Sequence, residues 1–227
     1  MSARGDNGGR IGGPPSRSFF GHVPPSVAIF AIVLTGVYAA LEAAPDAIAV
    51  WANERFGLSP ERLFAGADAP GGLLGALAPL LTHMLIHASL PHLLFNLLWL
   101  LVFGAPVARR LRSAGRFGLF FALSGAAGGL FFSIFHPNDA TLLVGASGGI
   151  TGLLGGVVRF AFHPSGTILP LRDRSVLTWT ALVILLNATI PVIGPPLAAG
   201  EAPIAWQAHI GGFLFGLLAF PLFDRKN

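Results

Sequence analysis

Cysteine is absent from this 227-residue chain, and charge is scarce: only 11% of residues are Asp, Glu, Lys or Arg. The first absence excludes disulfides, thiolate nucleophiles and zinc–cysteine centres. The second excludes an ordinary water-soluble domain, in which about 25% of residues are charged. The basic residues are scattered between apolar runs and form no long patch, so the net charge of +4 gives no grounds for a nucleic-acid partner. No carboxylate lies deep within any long apolar run. What is present instead is 53% hydrophobic residues and 30 glycines, a composition suited to lipid.

Windows of about 20 apolar residues are long enough to span a bilayer. Six are expected: Pro25–Ala44, Ala78–Gly104, Phe117–Phe135, Val144–Phe162, Val176–Ile193 and Pro203–Phe220. They predict an all-α membrane protein, a bundle of six transmembrane helices. Residues 1–24, rich in Gly, Pro, Ser and Arg, read as a disordered cytoplasmic tail; 25–222 form the membrane domain and 223–227 a short cytoplasmic C-terminus. A cleaved signal peptide is the weaker reading of the first span, because its leader is long and five spans follow. Arginine sets the orientation. Arg4, Arg10, Arg17, Arg109, Arg110, Arg112, Arg116, Arg159, Arg172, Arg174, Arg225 and Lys226 fall on one side, and only Arg55 and Arg62 on the other. Positive residues stay in the cytoplasm, so both termini are expected there. In a bacterial cell the location would be the cytoplasmic membrane.

Polar groups inside an apolar bundle are expensive, and those retained tend to face inward and to act. The second window holds His83, His87, His92 and Asn96, the fourth opens on Gly145-Ala146-Ser147-Gly148, and the sixth holds His209 about six residues from its start. All three windows run in the same direction, so these groups can converge near the outer face. Gly148, Gly152 and Gly156 repeat every four residues, as do Ala208, Gly212 and Gly216. Small residues at that spacing let membrane helices approach closely, which would bring Ser147 towards His209. Taken singly, each residue has a blander reading: a packing serine, a structural histidine, an interhelical asparagine. His83, His87 and His92 could also bind a metal, but no membrane carboxylate accompanies them and no HExxH occurs. Neither metal nor cofactor is expected. Glycine ridges serve packing within one bundle as readily as between subunits and imply no oligomeric state.

Three motifs in order, HxxxN (His92, Asn96), GxSG (Gly145, Ser147, Gly148) and AHxxGxxxG (Ala208, His209, Gly212, Gly216), resemble those of the rhomboid intramembrane serine proteases. The resemblance covers Pro25 to Phe220 and implies a six-helix rhomboid-like bundle. It implies Ser147 as nucleophile and His209 as general base, a dyad without a third carboxylate. His92, Asn96 and the Ser147 backbone N–H would form the oxyanion hole. Gly145 and Gly148 would admit the substrate backbone, and Gly212 and Gly216 would pack the helices. Substrates would be single-span membrane proteins cut near the outer end of the helix, reached laterally past the fifth span. A catalytically silent relative that binds transmembrane helices is the alternative. Three positions depart from the family pattern. Val107-Ala108-Arg109 offers no glutamate as a cytoplasmic brace. Thr151 stands where an aromatic often packs on the catalytic histidine, leaving Trp206 or a phenylalanine to hold His209. The first loop has Trp51 without a Trp-Arg pair.

Overall fold

The computed structural model describes residues 23–162, 166–193 and 205–224, with backbone alone at 190–193. Most of the expected tail, the extreme C-terminus and the first residues of the sixth window lie outside the described residues. Among the described residues, ten α-helices follow in order: α1 (Pro25–Glu42), α2 (Asp46–Phe56), α3 (Pro60–Ala65), α4 (Gly72–Leu77), α5 (Pro79–Thr82), α6 (Leu90–Leu111), α7 (Ala114–Phe135), α8 (Ser147–Val158), α9 (Arg174–Ile193) and α10 (Trp206–Phe223). Helices α1, α6, α7 and α10 are each long and apolar enough to cross a bilayer, while Gly72–Leu85, Ser147–Val158 and Arg174–Thr189 are shorter apolar stretches. The protein is an all-helical, multi-pass integral membrane protein.

Helix starts are set by local chemistry. Pro25 opens α1, where its missing N–H costs nothing. Ser89 caps α6 by accepting from the His92 N–H at 3.3 Å, and Ser113 does the same for α7 through Arg116. The second window is therefore corrected: it is not one helix from Ala78 to Gly104. A 3-10 turn at His83–Leu85 and an extended Ile86 interrupt it, and the spanning helix starts at Leu90. His83 and His87 consequently do not share a helix face with His92. The fourth window is shorter than expected, because Val144 belongs to an extended segment and helix begins only at Ser147. The sixth helix begins at Trp206, so His209 lies one turn into it rather than two.

Helix α8 is central and buried nearly all round, with Ile150, Leu153 and Val158 inward alongside five glycines. Phe117, Phe120, Phe121 and Phe220 fill the space beside it with Leu93, Leu100 and Leu111. A second cluster, Val158, Leu169, Val176, Val183, Phe213 and Leu217, seats α9. Leu177, Ile184, Leu185 and Leu186 of α9 point outward, as suits a helix whose other face meets lipid.

The region α2–α5 is tied down by backbone. Leu58 and Leu143 exchange both N–H···O bonds, at 3.0 and 2.8 Å, and Thr82 Oγ1 donates to Phe56 O at 2.9 Å. Arg62 donates to the Glu54 and Gly57 carbonyls, so one arginine clamps the first loop, in a cavity that Trp51 and Arg55 also line. At the opposite end, Arg110 on α6 makes a two-point ion pair with Asp224 (Nε–Oδ1 2.9 Å, Nη2–Oδ2 2.6 Å) and reaches the Gly166 carbonyl. That clamp joins α6 to the end of α10, in a region where Val107-Ala108-Arg109 offers no glutamate.

Candidate active site

Ser147 is the first residue of α8, reached through a backbone that only glycine adopts readily: Gly145 has φ of 114°. Its N–H donates to the His83 carbonyl at 2.9 Å, so the 3-10 turn holds the approach to Ser147. A Cβ at Gly145 would lie 2.7 Å from both Cε1 and Nε2 of His92. Glycine here both permits the turn and makes room for the imidazole. The first N–H groups of α8 have no acceptor within the helix and face the same end, leaving partial positive charge beside the Ser147 hydroxyl.

Helices α8 and α10 run in parallel, glycine against glycine. A Cβ on Gly212 would meet the Gly148 carbonyl oxygen at 2.0 Å, and one on Gly216 the Gly152 oxygen at 1.9 Å. Gly148 itself would tolerate a Cβ at 3.5 Å from Ala208 O, so the closest fit lies on the α10 side. This contact sets His209 on α10 next to Ser147 on α8: Nε2 is 2.9 Å from Oγ.

The other nitrogen of His209 has a partner that the motifs did not reveal. Nδ1 is 2.9 Å from Oδ1 of Asn187 on α9. The hydrogen-bond partner of His209 is thus an amide on α9, a residue that the expectation of Trp206 or a phenylalanine did not include. The Asn187 amide Nδ2 donates to Val183 O at 2.8 Å. Hydrogen-bond accounting fixes the protons. A carbonyl can only accept, so the nitrogen of Asn187 faces Val183 and its oxygen faces His209. Nδ1 of His209 therefore carries a hydrogen, and in the neutral ring Nε2 is left to accept from the Ser147 hydroxyl. The Thr151 hydroxyl is engaged within its own helix, donating back to Gly148 O at 3.0 Å and facing Gly212. Asn187 was detectable by the same rule that singled out Asn96, since it is an amide within an apolar span.

Of the remaining candidates, His92 lies against Gly145, and Asn96 is buried one turn further along α6. Asn96 donates one amide hydrogen to His92 O at 2.8 Å, and its Oδ1 is buried without a partner. His87 packs edge-on against His92, ring centres 5.1 Å apart, with both nitrogens buried and unpartnered. His83 is turned elsewhere: its Nδ1 is 2.7 Å from Pro79 O and its ring faces Gly129 of α7. Among the described residues, no group of three or more His, Asp or Glu side chains is placed to hold a metal ion.

A serine on a helix N-terminus, bonded to a histidine from a glycine-packed parallel helix, inside an all-helical membrane bundle, defines the class. The Rhomboid domain family model matches residues 74–225, and the chain belongs to the rhomboid family. It is 32% identical over 147 residues to RHOMBOID-like protein 4 of Arabidopsis thaliana, covering 63% of this chain and 33% of that protein. It is 30% identical over 151 residues to the rhomboid protein YdcA of Bacillus subtilis, covering 65% and 69%, and 31% identical over 140 residues to Rhomboid protease GluP of the same organism, covering 62% and 25%. The chain thus spans about a third of the plant relative and a quarter of GluP.

Proposed function

We propose that this protein is an intramembrane serine endopeptidase that cleaves transmembrane proteins near the outer end of a membrane helix. The observation that carries the reading is the 2.9 Å bond between Ser147 Oγ and His209 Nε2. A serine hydroxyl is a weak nucleophile until a base takes its proton, and a neutral imidazole accepting at Nε2 is that base. In the reaction, Oγ attacks the scissile carbonyl while its proton passes to Nε2. The resulting imidazolium returns that proton to the leaving amine, and water then hydrolyses the acyl-enzyme by the same route. The developing oxyanion would be met by the N–H groups at the start of α8, by His92 and by the second amide hydrogen of Asn96. No metal or cofactor has a step in this scheme.

Depth decides whether water can take part. Helix α8 has 12 residues, about 18 Å of helix against a hydrocarbon core of about 30 Å. With its Arg159 end at the cytoplasmic boundary, as the arginine distribution places it, Ser147 lies roughly 12 Å below the outer one. The α2–α5 region, bonded to the segment before Ser147, would shield that recess. Both termini are then cytoplasmic.

Wild type and Ser147→Ala in proteoliposomes with a single-span reporter test the proposal. Cleavage by wild type and none by folded Ser147→Ala is the expected result. Undiminished cleavage by the variant would remove Ser147 from the mechanism. Retention of the intact reporter by folded wild type, without turnover, would favour the silent helix-binding alternative.

A further inference from the structure

We propose that Asn187 is a positioning residue, holding His209 in the one tautomer and orientation that can deprotonate Ser147; this rests on the protease reading of the same site. The hydrogen-bonded chain is continuous: Ser147 O–H to His209 Nε2, His209 Nδ1–H to Asn187 Oδ1, and Asn187 Nδ2–H to the Val183 carbonyl. Each link has one donor and one acceptor, and the terminal carbonyl sets the sense of all three. Without an acceptor at Nδ1, a neutral imidazole is free to carry its hydrogen on Nε2, where it would donate to Ser147 and could not act as base.

The use of an amide follows from the surroundings. Asn187 is only 8% exposed, on a helix whose outer face is apolar. An ionised carboxylate there would be costly to desolvate, whereas an amide presents an acceptor oxygen without charge. The amide is also oriented by its own helix through Val183, which a carboxylate would not be. Val176 and Val183 seat α9 on α10 through Phe213 and Leu217, and Asn187 lies one turn beyond Val183 on the same inward stripe. The tautomer of His209 therefore depends on α9 staying seated.

The test compares wild type, Asn187→Leu and Asn187→Asp in detergent, with His209→Gln to assign the His209 signals among the seven histidines. Two readouts are taken: reporter kinetics, and imidazole tautomers by 15N NMR on histidine-labelled protein. Asn187→Leu keeps side-chain bulk and removes the acceptor. It is expected to lower kcat about tenfold with KM unchanged, the size of a lost neutral hydrogen bond, and to move hydrogen from Nδ1 to Nε2 of His209. Asn187→Asp, which in its protonated form offers both an acceptor and a donor, is expected to restore the Nδ1–H tautomer and most of kcat. A folded Asn187→Leu protein with wild-type kcat and an unchanged His209 tautomer would overturn the proposal and leave the dyad standing. Wild type that cleaves nothing but holds the Nδ1–H tautomer, lost in Asn187→Leu, would overturn the protease reading and leave the positioning role intact.

Discussion

At the scale of residues, the proposed reactivity depends on what stands next to the serine and the histidine. Ser147 is half-buried and would be an ordinary packing residue without the imidazole 2.9 Å away. His209 would be a rotatable side chain without an acceptor on its far nitrogen. Gly145 is the third constraint, because its φ of 114° and the His92 ring both exclude a side chain. Gly145→Ala is expected to force the backbone into a region costing on the order of 1–3 kcal/mol for non-glycine residues and to push His92 aside. Thermal unfolding in detergent should show the first effect. A fall in kcat matching that of His92→Ala, about 100-fold if His92 is an oxyanion donor, should show the second. A Gly145→Ala protein with wild-type kcat would mean that His92 does not act from where it lies.

At the scale of elements, the site is a by-product of how closely α8 and α10 approach. The four-residue glycine repeats were legible in the sequence because they share one helical face, and the two ridges do meet. Gly216→Ala would put a methyl group 1.9 Å from the Gly152 carbonyl oxygen, which no rotamer can relieve. Overpacking of this kind costs about 1–3 kcal/mol, and parting the helices would lengthen the Ser147–His209 bond. Lowered thermal stability together with lowered kcat is expected; loss of stability alone would show that the pair tolerates separation. The break between Leu85 and Leu90 was not legible in the apolar pattern, because Ile86, Leu90 and their neighbours keep that pattern apolar through the turn. Its marks were the capping Ser89 and Pro91, which signal a helix start even where hydropathy does not fall. Asn187 is inconspicuous for a related reason: one amide barely alters the apolar average of its span, although its cost within lipid is high.

At the scale of the whole molecule, the groups proposed to react sit at the starts of α6, α8 and α10, and the ion pair that joins two of those helices lies at their far ends. Arg110 and Asp224 close the bundle there, with the Asp224 carboxylate largely covered. The helical membrane class could be read from the apolar runs, and the rhomboid-like bundle followed from the resemblance of three ordered motifs. This clamp could not, because its partners are 114 residues apart and neither belongs to a recognisable motif. Asp224→Asn is expected to weaken a charge-assisted pair worth about 1.5–3 kcal/mol. Melting in detergent should fall while kcat per folded molecule holds, since the site is at the other end; a large fall in kcat without a fall in melting temperature would contradict that separation. The account of the molecule turns on one claim, that Ser147 is activated by His209. The most direct measurement is labelling of purified, folded protein by a fluorophosphonate probe, with the modified residue located by peptide mass spectrometry. The account predicts adduct on Ser147 in wild type and none in Ser147→Ala or His209→Ala. Equal labelling of His209→Ala, or no labelling of folded wild type, would contradict it.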